Sequence, residues 1–247
     1  MFLDVVDEKM NGKSWTSEIA ERDRVTVVPS LLAADFSNLE KEIRRLEDAG
    51  AEVLHFDVMD GMYVPNFSFG IPILKTVRKL TNLKIDVHLM IVEPERFLET
   101  FRDAGADSLT VHVETVAEPA SVVRKIRELG VAPGLALNYG TPVEKILPYA
   151  QEPDIVLVMG VPAGFGGQKF RPDSLDSVRA LQKVVRKDTL VQMDGGMSLE
   201  TIGNAVAAGV NFPVAGSGLM RAEDYSAQMK LLRQTAYTAL RWAYRGW

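Results

Sequence analysis

The sequence predicts an α/β fold, a single closed (β/α)8 barrel of parallel strands. Eight short runs of β-branched and aliphatic residues alternate with helical patterns from Val25 almost to the end of the chain. The connections are short and nearly uniform, so no crossover point exists at which strand order would reverse, as it does in an open doubly wound sheet. Polar residues gather at the ends of these runs (Ser30, Asp57, His88, His112, Asn138, Asp194 and Ser217), on the one rim where barrels build their sites.

The first strand is expected at 25–30. Ser37 and Glu40, three apart, read as a capping box, and Leu39, Ile43 and Leu46 recur at helical spacing until Gly50 closes the element. Further strands are expected at 52–58, 84–89, 107–113, 132–137, 154–159, 190–193 and 211–215, and helices at 71–80, 94–104, 119–129, 174–187, 198–208 and 222–244. Thr141-Pro142-Val143-Glu144 combines a candidate N-cap, a proline at the first helical position and a capping-box glutamate, so it predicts another helix. Residues 1–24 read as a polar N-terminal extension and 25–247 as the barrel, the catalytic domain.

The 247 residues are 47% hydrophobic and 25% charged, ordinary values for a globular chain with a large core. A net charge of −5 provides no basic field, so nucleic acid and anionic membrane surfaces are not expected partners. No apolar run is long enough to span a membrane, and residues 1–24 lack the apolar stretch of a signal peptide. The absence of cysteine excludes disulfides and thiolate metal sites and fits a reducing compartment. A cytoplasmic protein is expected.

Residues two apart on a strand share a face, which puts His55, Asp57 and Met59 on one side of the second strand and His88 and Met90 on one side of the third. With Asp194 at the end of the seventh strand, two imidazoles and two carboxylates converge over the barrel mouth. That donor set suits a divalent ion of borderline hardness, and a pair of carboxylates suits moving a proton off and onto one carbon. A lone histidine in an apolar strand is more often a core residue; the convergence favours a site. Asp86 shares the face of His88 and reads either as an outer acceptor for a ligand or as a salt-bridge residue.

Three glycine-rich turns lie late in the chain: Gly164-Phe165-Gly166-Gly167, Gly195-Gly196 and Gly216-Ser217-Gly218. Two of them follow strands seven and eight, where barrels hold phosphate on backbone amides, so lysine or arginine is not required. Met59, Met90 and Met159 also fall at strand ends. They read equally as core filling or as an apolar shield over a reactive carbanion.

These residues resemble the ribulose-phosphate 3-epimerase family. The matching runs are Pro29 to Phe36, His55 to Asn66, Asp86 to Met90, Gly164 to Gln168, Asp194 to Gly196 and Val214 to Ser217. The resemblance implies a TIM barrel of the ribulose-phosphate-binding type that interconverts D-ribulose 5-phosphate and D-xylulose 5-phosphate at carbon 3. It implies that His55, Asp57, His88 and Asp194 bind one divalent ion (Zn, Fe(II), Mn or Co), with Asp57 and Asp194 exchanging the roles of proton acceptor and donor. It further implies substrate contacts from Ser30 and His88, and phosphate contacts from Gly164, Phe165, Gly166, Gly167, Gly195, Gly196, Gly216 and Ser217. It also implies that Met59, Met90 and Met159 shield the intermediate and that the protein is a homo-oligomer. His112 has no assigned role.

Several positions depart from the family pattern: Ala33, Tyr139 after Asn138, Gly160 to Ala163 before the glycine turn, and Pro213 inside the last strand. The altered lid leaves open a 3-epimerase of a hexulose phosphate such as D-allulose 6-phosphate. A non-catalytic sugar-phosphate-binding barrel is less consistent with two retained carboxylates. Sister barrels that decarboxylate carry Asp-x-Lys at the third strand, where this chain has Asp86-Val87-His88.

Overall fold

A computed structural model describes residues 14–20 and 25–245, so residues 1–13 and 21–24 of the expected extension and 246–247 of the C-terminal tail lie outside the described residues. Eight parallel strands run in one sheet: β1 (Val28–Pro29), β2 (Val53–Met59), β3 (Lys84–Met90), β4 (Ser108–His112), β5 (Ala132–Leu137), β6 (Ile155–Met159), β7 (Leu190–Asp194) and β8 (Phe212–Ala215). From β2 to β8 each strand pairs with its sequence neighbours, β1 pairs with β8, and an isolated parallel bridge from Ser30 to His55 closes the ring between β1 and β2.

Register places Asp57 beside His88, Met59 beside Met90, and Met159 beside Asp194. All seven residues of β2 are buried, as a strand covered on both faces requires. The surrounding helices are α2 (Leu39–Asp48), α3 (Ile71–Leu80), α4 (Leu98–Asp103), α5 (Pro119–Glu128), α6 (Leu175–Leu181), α7 (Ile202–Ala208) and α9 (Tyr225–Arg245). Each amphipathic stripe faces the sheet: Ile43 and Leu46 of α2, Leu74 and Val77 of α3, and Val122 and Ile126 of α5 are buried in one core.

The structure corrects several expectations. No α-helix follows Thr141. Two 3-10 turns, Val143–Lys145 and Leu147–Tyr149, stand there, because Pro148 lacks the N–H that the second turn of a helix must donate. Ser37 does not cap α2: Asp35 accepts both its amide, at 2.9 Å, and its hydroxyl, at 2.6 Å, in a separate 3-10 turn, and Asn38 precedes the helix without a side-chain cap. Segment 94–104 divides into a 3-10 turn, Pro94–Arg96, and α4; α6 ends six residues early and α7 starts at Ile202. The first strand shrinks to two residues because Pro213 removes a donor at the β1–β8 seam and Pro29 removes one on the side facing β2, where only the Ser30–His55 bridge remains. A short helix with no counterpart among the expected elements, α8 (Ser217–Met220), follows β8.

The polar extension contains α1 (Trp15–Ala20). Trp15 and Ile19 close the base of the barrel against Val28, Val53, Ile155, Leu190, Phe212 and Val214, most of them first or early residues of their strands. The Trp15 ring centroid lies 6.4 Å from that of Phe212, and its indole N–H donates to the Asp107 carbonyl at 3.3 Å. The base is therefore sealed at the end opposite the predicted site. Trp15→Ala should cost about 2 kcal/mol, less than a fully buried tryptophan would, and lower Tm by about 4–8 °C. Catalytic constants should stay at wild-type values; a parallel loss of activity in the folded variant would contradict this separation of the two ends.

Candidate metal and acid-base site

The floor of the mouth is built upward from Asp86, which is fully buried. A carboxylate there is tolerated only with its oxygens occupied, and three side chains do this: Ser108 donates to Oδ1 at 2.6 Å, Gln192 donates to Oδ2 at 2.6 Å, and His55 Nδ1 lies 2.8 Å from Oδ2. Of the two readings of Asp86 left open by the sequence, the structure shows the one in which it orients a candidate ligand. Since Asp86 only accepts, His55 Nδ1 carries the proton and Nε2 faces the mouth. Nε2 is buried, lies 3.2 Å from Asp57 Oδ1, and has no partner in hydrogen-bond geometry.

One ligand atom each of His55, Asp57, His88 and Asp194 lies within 4.8 Å of the others. His88 Nδ1 is 3.2 Å from Asp57 Oδ1 and 3.9 Å from Asp194 Oδ2. Asp57 Oδ2 accepts the Ser30 hydroxyl at 2.7 Å, which fixes the carboxylate plane. The orphaned Nε2, together with two crowded carboxylates, fits a divalent cation: the donor set is the nitrogen and oxygen mixture such ions take, and positive charge is what the cluster lacks.

Protonation in the metal-free protein says the same. Burial alone would depress His55, yet the Asp57 and Asp86 carboxylates hold its pKa well above the ordinary value, so a proton supplies the missing charge. Burial opposes ionisation of Asp57, but His55 and His88 outweigh it and keep its carboxyl well below the usual range. Asp194 is pushed up to about 7 by burial and by the neighbouring Asp57 charge. Two carboxyl groups with divided proton affinities are the arrangement from which acid and base roles are drawn. Burial lowers His88, and it lowers His112 to about 4.

Above this floor lies a cavity of about 390 Å³. Ser30, Asp57, Asp194 and the methionines Met59, Met90 and Met159 line its deep part, while His55 and His88 lie beneath it. The methionines are buried in a cluster with Val64, Ala136, Leu157 and Ala163. The outer part is lined by the three predicted turns, through Gly164, Phe165, Gly166, Gly167, Gly195, Gly196, Gly216 and Ser217. Gly195 and Gly196 have φ of 104° and 73°. A Cβ on Gly196 would stand 2.8 Å from the Phe170 Cα, so only glycine lets this turn pass. The altered lid is anchored: the Ala163 amide donates to Asn138 Oδ1 at 3.0 Å, and Asn66 donates to the Gly164 carbonyl at 2.7 Å.

Sequence reasoning missed Arg221, which also lines the cavity and whose guanidinium approaches Gly167. Among the described residues its side chain makes no hydrogen bond or ion pair. The available signal was a basic residue three positions after the third glycine turn. His112, unassigned from sequence, sits behind His88 with Nε2 atoms 2.8 Å apart and contacts Tyr63 and Glu114. Burial opposes the Glu114 charge, yet His112, Thr141 and the Asn138 amide bring its pKa down to about 2.

Residues 26–220 match the model of the ribulose-phosphate 3 epimerase family. The chain belongs to this family. Ribulose-phosphate 3-epimerases of Synechocystis and Bacillus subtilis are 42% and 41% identical to it, each over 85% of this chain and 94% and 98% of their own. A relative from Oryza sativa, 40% identical over 85% of this chain and 93% of its own, is named a cytoplasmic isoform. The fold is shared more widely: 3-hexulose-6-phosphate synthase from Salmonella typhimurium superposes with a TM-score of 0.66 at 17% identity, covering 87% of this chain and 99% of its own. The matched segment contains all four clustered ligands and the three glycine turns. Among the described residues no helix is long and apolar enough to cross a membrane.

Metal binding must displace the proton on His55 and whatever proton Asp194 holds near its pKa of about 7. Apparent affinity for Zn should therefore rise with pH, by at least about 10-fold between pH 6 and 8, with proton release at pH 7 seen by calorimetry in buffers of different ionisation enthalpy. Affinity independent of pH would contradict the assignment of these groups as ligands.

Proposed function

We propose that the protein interconverts D-ribulose 5-phosphate and D-xylulose 5-phosphate at carbon 3. The observation that carries this reading is the pair of carboxylates with divided proton affinities inside a four-ligand cluster, at the floor of a cavity whose outer wall is glycine turns. The names of the relatives favour the pentulose phosphate over a hexulose phosphate.

The substrate phosphate sits against the amides of the turns around Gly166, Gly196 and Ser217, with the Arg221 guanidinium opposing its charge. The sugar then extends inward to the floor. Asp57, already ionised and oriented by Ser30, removes the carbon-3 proton from one face. The electron pair left behind is delocalised into the adjacent ketone as an enediolate. Asp194, the carboxyl of the pair with the higher proton affinity, delivers a proton to carbon 3 from the other face. The configuration is inverted, and in the reverse direction the roles exchange. A divalent ion held by His55, Asp57, His88 and Asp194, of the class of Zn, Fe(II), Mn or Co, supplies Lewis-acid stabilisation of the negative charge on the substrate oxygens. Met59, Met90 and Met159 exclude water over the carbanion without presenting a proton donor or acceptor.

In D2O the enzyme should introduce deuterium at carbon 3 during turnover, followed by NMR. Asp57→Asn and Asp194→Asn should each lower kcat about 10²–10⁴-fold; a loss under twofold in either folded, metal-loaded variant would refute its proton-transfer role. Arg221→Ala should raise KM about 10-fold with kcat little changed, as loss of one charge-assisted contact made equally in ground and transition states predicts. Unchanged KM would remove Arg221 from the phosphate contacts.

A further inference from the structure

His88 has a second neighbour that the proposed chemistry does not use. Its Nε2 lies 2.8 Å from Nε2 of His112, with the rings 26° from parallel and both fully buried. On the far side, His112 Nδ1 is 2.9 Å from the Tyr63 hydroxyl oxygen and 3.3 Å from Glu114 Oε2. Tyr63 is itself 3.3 Å from that oxygen and accepts from Asn138 Nδ2 at 3.1 Å. Glu114 is anchored through its other oxygen, which accepts the Asn138 amide at 2.9 Å.

Two ring nitrogens 2.8 Å apart must be one N–H and one lone pair, so the tautomers of His88 and His112 are locked together. The chain of contacts has two polarities with the same number of protons. In the first, Tyr63 donates to His112 Nδ1, His112 Nε2–H donates to His88 Nε2, and His88 Nδ1–H points to Asp57. That polarity turns the His112 Nδ1 lone pair toward the Glu114 carboxylate and removes His88 Nδ1 from the ligand set. In the second, His112 Nδ1–H points at two acceptors, Glu114 Oε2 and the Tyr63 oxygen, and Tyr63 gives its own proton to Glu114. His112 Nε2 then accepts from His88 Nε2–H, and His88 Nδ1 presents its lone pair beside Asp57 and Asp194.

Asp57 and Glu114, at the two ends of the chain, both accept only: the Asp57 charge favours the first polarity and the Glu114 charge the second, so the second prevails once a cation takes up the charge of Asp57. We propose that Glu114, acting through His112, is a positioning residue that holds His88 in the Nε2–H tautomer with Nδ1 ready to ligate. This rests on the cluster being a metal site and is independent of which sugar phosphate the enzyme uses. Tyr63 completes the acceptor pair, and Asn138 connects the same network to the lid at Ala163.

The test is ¹⁵N NMR of histidine-labelled protein, metal-free and then titrated with Zn, with no sugar present. In the wild type the Nε2–H tautomer of His88 should be detectably populated before metal is added, against the pull of Asp57, and should be the sole form with Zn bound. Glu114→Gln keeps an acceptor for the Asn138 amide but loses the charge; it should shift His88 toward the Nδ1–H tautomer and weaken Zn binding about 10- to 100-fold, with its circular dichroism unchanged. His112→Phe, should it fold, should weaken Zn binding in the same direction, and Tyr63→Phe, which leaves the Glu114–His112 contact in place, should stay close to wild type. A metal-free wild type with no Nε2–H population of His88, or a Glu114→Gln variant with unchanged tautomer and unchanged Zn affinity, overturns the proposal. Neither result bears on the deuterium-exchange assay, so failure of this inference and failure of the epimerase reading are separately visible.

Discussion

The buried carboxylate of Asp86 is the constraint on which the mouth of the barrel depends. It joins β3, where it resides, to β2 through His55, to β4 through Ser108 and to β7 through Gln192. An ionised group at this depth is stable only because three donors replace its water, and removing any one would leave part of the desolvation cost uncompensated. The same contacts fix the ring of His55, which in turn sets where Nε2 points. Stability of the polar interior and geometry of the ligand cluster are thus one interaction.

The site partitions charge by depth. Anionic groups concentrate at the floor, where Asp57, Asp86 and Asp194 face two buried imidazoles. The outer cavity wall is nearly uncharged backbone, joined by a single guanidinium from Arg221. In the proposed binding mode a phosphorylated ligand is held at the end where its charge meets amides and one cation, while its uncharged carbons reach the carboxylates. Reversal of the ligand would place phosphate against Asp57 and Asp194, so orientation follows from electrostatics as well as shape.

Much of this is legible in the residues because period-two patterning places alternate strand residues on one face. Spacing alone assigns His55, Asp57 and His88 to a common mouth, and the glycine turns to the loops around it. The miss at Thr141 has a specific origin: three helix-start signals outweighed one proline, Pro148, whose effect lies a turn further on. At Ser37 a nearer acceptor, Asp35, won the hydroxyl and amide. Trp15 and Ile19 lie among polar residues, and only the open base of a closed barrel gives two isolated apolar side chains something to bury against. Arg221 and Glu114 were hidden for another reason, since their neighbours come from loops far apart in sequence.

The ring closes where the chain begins and ends. β1 pairs with β8, Trp15 packs on Phe212, and about 180 residues separate the two sides of that seam. On a ribosome adding 5–20 residues per second, the first strand waits roughly 10–40 s for its partner. Asp194 likewise emerges about 140 residues after His55, so the ligand set is incomplete through most of synthesis. Until β8 is made, β1 lacks its partner along this seam and Trp15 lacks the Phe212 ring it packs on, so neither the ring nor its base can close before synthesis is nearly done.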